Sequence, residues 1–506
     1  MDKDALRKIL LIISLPLIIV LFYVIAAFHF HYTPDDTYIY LQYAKNIVRG
    51  EGVSFNAGQS TYGMTSPLWM FIIALGGFFG ADLFIAAKVV DLMLACSAVI
   101  MFYFLAIEII RDGIVALAAT AVFALNAWFL RWAGSGMETS LAVLMVITTV
   151  WFCLRNEYYP AAVMAALLTL VRPEGFLLLF LLLTDLYLNT VSEKRAIRGG
   201  VVVVTVYGVI LTPWWIFSMA TFRTIFPNTL LAKAGLEFGI GKFLSSLFET
   251  LKIIFVSDGI TILMLVVSGI IIYRNRSKWI GETEHQNEYR LYLLRQTLLG
   301  PGWIIVLVLF YSITDVNVVS RYFLLVIPFL IVQAFFYLDR LIVHLRAYRV
   351  RYTTVVICCL AIIIQNQYVY HRYVGPGIDE FEKGMDECLV PIGKWFRDNT
   401  PPETRIFASD VGALGYYSDR EICDAAGLVS PEMLPLVREH YSFERMMDEG
   451  IYRSRYNADY VVYRSFDPEG YKGFSDLTPV FTKVMPRMKL AEVRSTYYTV
   501  CKVNQN

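Results

Sequence analysis

The sequence predicts a polytopic α-helical membrane protein of about eleven transmembrane helices, followed by a C-terminal extracytoplasmic α/β domain. Three observations lead there. The 506 residues are 57% hydrophobic and 17% charged, where a soluble protein carries roughly 25% charge. Apolar runs long enough to cross a bilayer recur along the first three quarters of the chain. Past His371 the text turns polar and alternates helix-like with strand-like segments. A net charge of +1 gives no basic surplus, so nothing argues for nucleic-acid binding. The nine Trp, 32 Tyr and 34 Phe suit aromatic belts at membrane interfaces.

The elements follow in order. Residues 9–30 form the first span, and no small-residue cleavage site follows, so the helix is expected to be retained. Further spans are expected near 84–108, 112–130, 137–154, 158–171, 174–189, 199–218, 254–273, 299–314, 321–339 and 353–371. The run 67–80 (PLWMFIIALGGFFG) is short of the ~20 residues a crossing needs, so it is read as a helix in or dipping into the interface. That choice puts Lys3, Arg7, Lys8, Arg111, Arg155, the Lys194/Arg195/Arg198 cluster, Arg274, Arg276, Lys278, Arg340, Arg346, Arg349 and Arg351 on one side. By the positive-inside rule this side is cytoplasmic. Arg223, Lys233 and Lys242 run against the pattern. The division is then a transmembrane part, 1–371, and an outer part, 372–506. In the latter, strands are expected at RIFASD, REICDAAG, ADYVVYRS and TYYTVCKV.

The same orientation puts the unusual polar segments on the outer face. These are the loop 31–65 with Asp35-Asp36, RWAGSGMETS (131–140), VRPEG (171–175), IFPNTLLAKAG (225–235) and TDVNVVSRYF (314–323). Two adjacent carboxylates repel one another, so the pair suggests a cation, a proton to be taken or a positive partner. Equally, Pro34-Asp35-Asp36 could simply start the amphipathic stretch 37–48. Arg172-Pro173-Glu174-Gly175 interrupts two short apolar runs, which means backbone that lines a polar cavity, or a tight turn with a self-satisfied ion pair. Glu138, Asn228, Lys233 and Arg321 converge on that face, although each alone could be an anchor or a cap. Lys88 and Asp91, at i,i+3, are expected to pair with each other. Asp410 and Asp424 end candidate strands, where α/β sheets put ligands, but Asp caps helices there as readily.

Other chemistries find no support. Cys96, Cys153, Cys358 and Cys359 fall in apolar spans, and one disulfide among Cys388, Cys423 and Cys501 stays open. There is no Cys/His metal spacing, Walker loop, GxGxxG or G-x-S-x-G.

The string DDTYIYLQYAKNIVRGEGVSFNAGQSTYGMTSPLW resembles the first outer loop of polyprenyl-phosphate-sugar-dependent glycosyltransferases of the GT-C superfamily. It looks most like the branch of the mycobacterial terminal arabinofuranosyltransferases. SGMET (135–139), RPEG (172–175), PNTLLAK (227–233), SRYF (320–323) and DVGALGYYSDREICDAAGL (410–428) continue the resemblance in order. It implies an integral transferase of the cell membrane. The donor is a sugar on a polyprenyl phosphate and the acceptor a cell-envelope glycan or glycolipid. One acid of Asp35-Asp36 serves as base, and the other orients the acceptor or binds Ca²⁺, Mg²⁺ or Mn²⁺. Arg321, Lys233 and Arg172 are the candidates for the leaving phosphate. Glu138, Glu174, Asn228 and Tyr322 complete the expected substrate site. A lipid-linked sugar flippase, or a transferase acting on protein side chains, are the alternatives left open.

Overall fold

The computed structural model describes residues 3–190, 192–233, 239–274, 286–314, 319–343, 348–486 and 494–504. Its first part is helical: α1 (Lys3–Ala27), α2 (Asp35–Val48), α3 (Pro67–Phe78), α4 (Leu83–Ile110), α5 (Gly113–Ala124), α6 (Ala127–Trp132), α7 (Thr139–Leu154), α8 (Tyr158–Val171), α9 (Phe176–Asn189), α10 (Glu193–Phe222), α11 (Asn228–Lys233) and α12 (Ile240–Arg274). Helices Trp303–Thr314, Ser320–Phe323, Ile327–Ile342 and Tyr348–Val369 follow. Among the described residues five helices are long and apolar enough to cross a membrane: Leu83–Ile110, Glu193–Phe222, Ile240–Ile272, Leu293–Thr314 and a run over Tyr348–Asn399. Shorter apolar helices, α3 among them, lie between these.

Caps decide where several elements begin. Asp82, Asp112 and Asn126 accept bonds from the first backbone N–H groups of α4, α5 and α6. The Asn126 cap is why the expected span 112–130 is two helices: its extended backbone ends one and starts the next. The expected span 321–339 is likewise split, with Pro328 in the first turn of Ile327–Ile342. Nor does the helix from Tyr348 stop at residue 371. A wide turn over Tyr370–Val374 accommodates Pro376 at the start of the next segment, so the helix runs on into the C-terminal part.

The C-terminal part holds a five-stranded mixed sheet, the hairpin β1 (Ser54–Asn56)–β2 (Gln59–Ser60) being separate. The strands are β3 (Arg405–Ala408), β4 (Glu421–Asp424), β5 (Tyr460–Ser465), β6 (Leu477–Met485) and β7 (Thr496–Val503), in the order β4-β3-β5-β7-β6. β4 and β5 run parallel to β3; β7 is antiparallel to β5 and β6. Strand alternation sends Ile406, Ile422, Val462 and Val500 into the core shared with the helical part. Phe407, Cys423, Val461 and Cys501 go into a second core on the other face. Every cysteine, including Cys388, Cys423 and Cys501, is a free thiol.

Candidate active site

α2 begins directly after Pro34, so Asp35 and Asp36 both occupy its first turn, where the helix dipole favours carboxylates. Successive helical residues diverge by ~100°, and the two acids take different partners. Asp36 accepts from Nη2 of Arg321 at 2.7 Å. Asp35 accepts from the backbone N–H groups of Gly412 (2.9 Å) and Ala413 (2.8 Å). Burial, with Asp410 nearby, pushes the Asp35 carboxyl up to about 7. The two carboxylates therefore share no cation site. Among the described residues no cluster of three or more His, Cys, Asp or Glu could hold a metal.

The RPEG turn forms as the sequence suggests. Arg172 is extended, and Pro173–Gly175 makes one tight turn between α8 and α9. The Arg172 guanidinium binds Glu174 (2.7 Å) and Glu138 (3.0 Å), lies over the Tyr322 ring at 4.4 Å, and is buried with both acids. The Tyr311 hydroxyl donates to Glu174. Arg321, from Ser320–Phe323, lies over Trp132 and Tyr322. Arg172, Glu138, Glu174, Tyr311, Arg321 and Tyr322 line a partly open cavity, about 880 Å³ of empty space with the solvent at its mouth included, together with Asp36, Tyr40, Met64, Thr65, Met137, Thr229, Leu230, Phe310 and Leu428.

The SGMET loop that delivers Glu138 is held by two fully buried charges. Lys88 donates to the carbonyls of Tyr32 and Gly134. Asp91 accepts from the Gly136 N–H (3.0 Å) and the Ser135 hydroxyl (3.4 Å). The two charges brace the loop, and their bonds go to it and to Tyr32 instead of to each other as expected. Gly136 needs its φ of +80°, and a Cβ there would press on Thr37 of α2.

Among the described residues, three polar atoms of cavity-lining residues are buried without a hydrogen-bond partner: Glu138 Oε2, Thr229 Oγ1 and Arg321 Nε. An unpartnered polar atom costs free energy, and it is tolerated where a ligand supplies the partner.

Other expected residues fall elsewhere. Asn228 ties loops together: its N–H bonds the Tyr62 carbonyl (2.8 Å) and its side-chain amide the Leu428 carbonyl (3.0 Å). Lys233 ends α11, and its side chain lies outside the described residues, as do residues 234–238 and 315–318. Asp424 shapes a turn by accepting from the N–H groups of Ala426, Leu428 and Val429. Burial lifts its carboxyl to about 6. Asp410 is bonded by Arg464 and Tyr498. Tyr40, Thr65, Tyr311 and Leu428 were not singled out from sequence. Tyr40 was reachable, lying four residues after Asp36 on the same helical face, and its hydroxyl bonds Thr65 Oγ1 at 2.9 Å.

The fold has solved counterparts. ArnT from Cupriavidus metallidurans, in a crystal structure bound to undecaprenyl phosphate, superposes with a TM-score of 0.53 at 15% identity, over 95% of this chain and 97% of its own. The archaeal oligosaccharyltransferase AglB from Archaeoglobus fulgidus, in complex with an inhibitory peptide and a dolichol-phosphate, gives 0.56 at 12% identity, over 88% and 69%. The Archaeoglobus fulgidus oligosaccharyltransferase in complex with Zn and sulfate gives 0.56 at 13%, over 88% and 67%. At these identities the likeness is one of fold. A family described as a domain of unknown function (DUF8728) matches residues 379–501. No curated protein matches the chain in sequence.

Proposed function

We propose that the chain is an integral membrane glycosyltransferase of GT-C type. It moves a sugar from a polyprenyl-phosphate donor to a cell-envelope glycan or glycolipid on the outer face of the cell membrane. The observation that carries this reading is the cavity where Asp36 faces Arg321 beside unpartnered polar atoms. Likeness in fold to proteins solved with undecaprenyl phosphate and dolichol-phosphate supports it. So does the resemblance of the loop 31–65 to the arabinofuranosyltransferase branch, which makes arabinose the first sugar to try.

In this reading Asp36 takes the proton of the acceptor hydroxyl as its oxygen bonds the anomeric carbon. The bond from that carbon to the donor phosphate oxygen breaks, and the electron pair leaves with the phosphate. Arg321 stabilises that leaving charge. It is the better-placed cation, because Arg172 already sits between Glu138 and Glu174 and serves as a brace for them. Glu138 and Thr229 offer their unpartnered oxygens to sugar hydroxyls. The apolar wall of Met64, Met137, Leu230 and Phe310 suits the first isoprene units. Eleven crossings, a cytoplasmic N-terminus and residues 372–506 outside complete the topology we propose.

The test is release of free polyprenyl phosphate by the purified full chain in nanodiscs, given polyprenyl-phosphate pentoses or hexoses and an envelope glycan extract. Acceptor-dependent release is expected. Movement of intact lipid-linked sugar across vesicles, with no release, would make the protein a flippase. Transfer to peptide alone would move the acceptor to protein side chains.

A further inference from the structure

The C-terminal part touches α2 at both ends and along its side. At the start of α2, Asp35 accepts two backbone N–H bonds from Gly412 and Ala413. A Cβ on Gly412 would overlap the Asp35 carbonyl, so the approach requires glycine. At the end of α2, Lys45 bonds the Tyr416 carbonyl (2.7 Å), and both Lys45 and Arg49 bind Asp419 (2.7 and 3.0 Å). Between them the Tyr38 ring packs on Tyr416 and Tyr417. From the end of β1, the Asn56 amide bonds both the N–H and the carbonyl of Ile422, capping the edge of β4. Leu428, in the turn after β4, reaches the cavity itself and takes the Asn228 bond.

We propose that Asp35 is a positioning residue: it latches the segment matched by the family of unknown function onto the first turn of α2, and so sets the aim of Asp36. The physical reason is adjacency. Asp36 is one residue from the latch, and its carboxylate is partly exposed and bound by Arg321. Two bonds that fix the neighbouring carboxylate fix the φ and ψ of the turn that carries both. The segment 379–501 is thereby a working part of the site, providing its latch at Gly412-Ala413 and its wall at Leu428. The inference rests on the transfer reading for its kinetic consequence and on geometry alone for the latch.

The experiment uses the full chain with Asp35→Asn, Asp35→Glu and Gly412→Ala. Two readouts are taken: amide hydrogen exchange at residues 412–413, and kcat and KM for a polyprenyl-phosphate sugar. Asp35→Asn turns an acceptor into an amide whose NH₂ faces an N–H, so one latch bond is lost. Asp35→Asn and Gly412→Ala should both lose protection and lower kcat roughly 10- to 100-fold, with donor KM within about twofold. Asp35→Glu should recover part of both. Lost protection with parental kcat would overturn the inference. So would retained protection with lost kcat, which would make Asp35 a reacting group. A parent protein that turns over no lipid-phosphate sugar would sink the transfer reading instead. The exchange arm then decides the latch, and unchanged protection in Asp35→Asn would refute it.

Discussion

The two ends of the α7–α8 pair carry the same residue types to different purposes. At the end where α7 finishes and α8 begins, Arg295 grips Asp185 with two parallel bonds (2.8 and 2.9 Å), bonds the Cys153 carbonyl at 2.6 Å, and shares Asp185 with the Tyr158 hydroxyl. Both carboxylate oxygens are taken, and the pair is buried. At the opposite end, Arg172 and Arg321 face Glu138, Glu174 and Asp36 around a cavity, and Glu138 Oε2 and Arg321 Nε have no partner among the described residues. A closed ion pair holds helices together; an open one keeps bonding capacity for something that arrives. Charge near a membrane edge is therefore ambiguous until the bonds are counted.

The comparison breaks most sharply at Asp36. Asp36→Asn keeps the shape and removes the proposed base, so turnover should fall about 10²- to 10⁴-fold; because it also takes the counter-charge from Arg321, some stability is lost, but less than at the fully buried Asp185, since the Asp36 carboxylate is partly exposed. Turnover assayed beside a melting curve checks both, and parental turnover would end the catalytic role. Asp185→Asn is the mirror case. It leaves Arg295 buried without its counter-charge and should cost about 3–5 kcal/mol of stability. The surviving folded fraction should keep its activity per molecule. A loss of kcat at unchanged stability would show that the closed pair is not merely structural.

The smallest effect concerns pH. The Asp35 carboxyl is raised to about 7, mainly by burial. From the ordinary aspartate range near 4 up to about 7, the folded protein holds a proton that the unfolded chain has released. Stability should therefore fall as pH rises through that window and flatten above it. Asp35→Asn should remove the slope. A slope that persists in the variant would assign it to other groups, Asp424 first.

Much of the fold could be read from the chain because apolar runs report helices directly; α4, α7 and α8 fall within two residues of the expected spans. The misreadings have local causes. Asn126 hides a cap inside an apolar run, and the polar text past His371 resembles the end of a helix that in fact runs on through a wide turn over Tyr370–Val374. β6 was not expected: Pro479 and the Thr and Lys of TPVFTKV mask a strand that tolerates them because it lies at the sheet edge, with a bulge beside the proline. Within the site, Arg172 with Glu174 and Arg321 with Tyr322 were legible as motifs. Which of Asp35 and Asp36 faces the cavity was not, since adjacency in sequence says nothing about rotation around a helix whose partners lie nearly 300 and 400 residues away. The bracing of the SGMET loop by Lys88 and Asp91 was hidden for the same reason, because i,i+3 spacing suggests a pair and the bonds go to a distant loop.

The central claim is that the open end is a lipid-phosphate site, and Arg321 tests it most directly. Binding of undecaprenyl phosphate to the purified chain in nanodiscs would be measured for the parent, Arg321→Lys and Arg321→Ala. A guanidinium matches phosphate oxygens with a fork that an ammonium lacks. The alanine form should bind roughly 10- to 100-fold more weakly, with the lysine form between the two. Equal affinity in all three would mean that Arg321 only anchors its helix, and the account of the cavity would be contradicted.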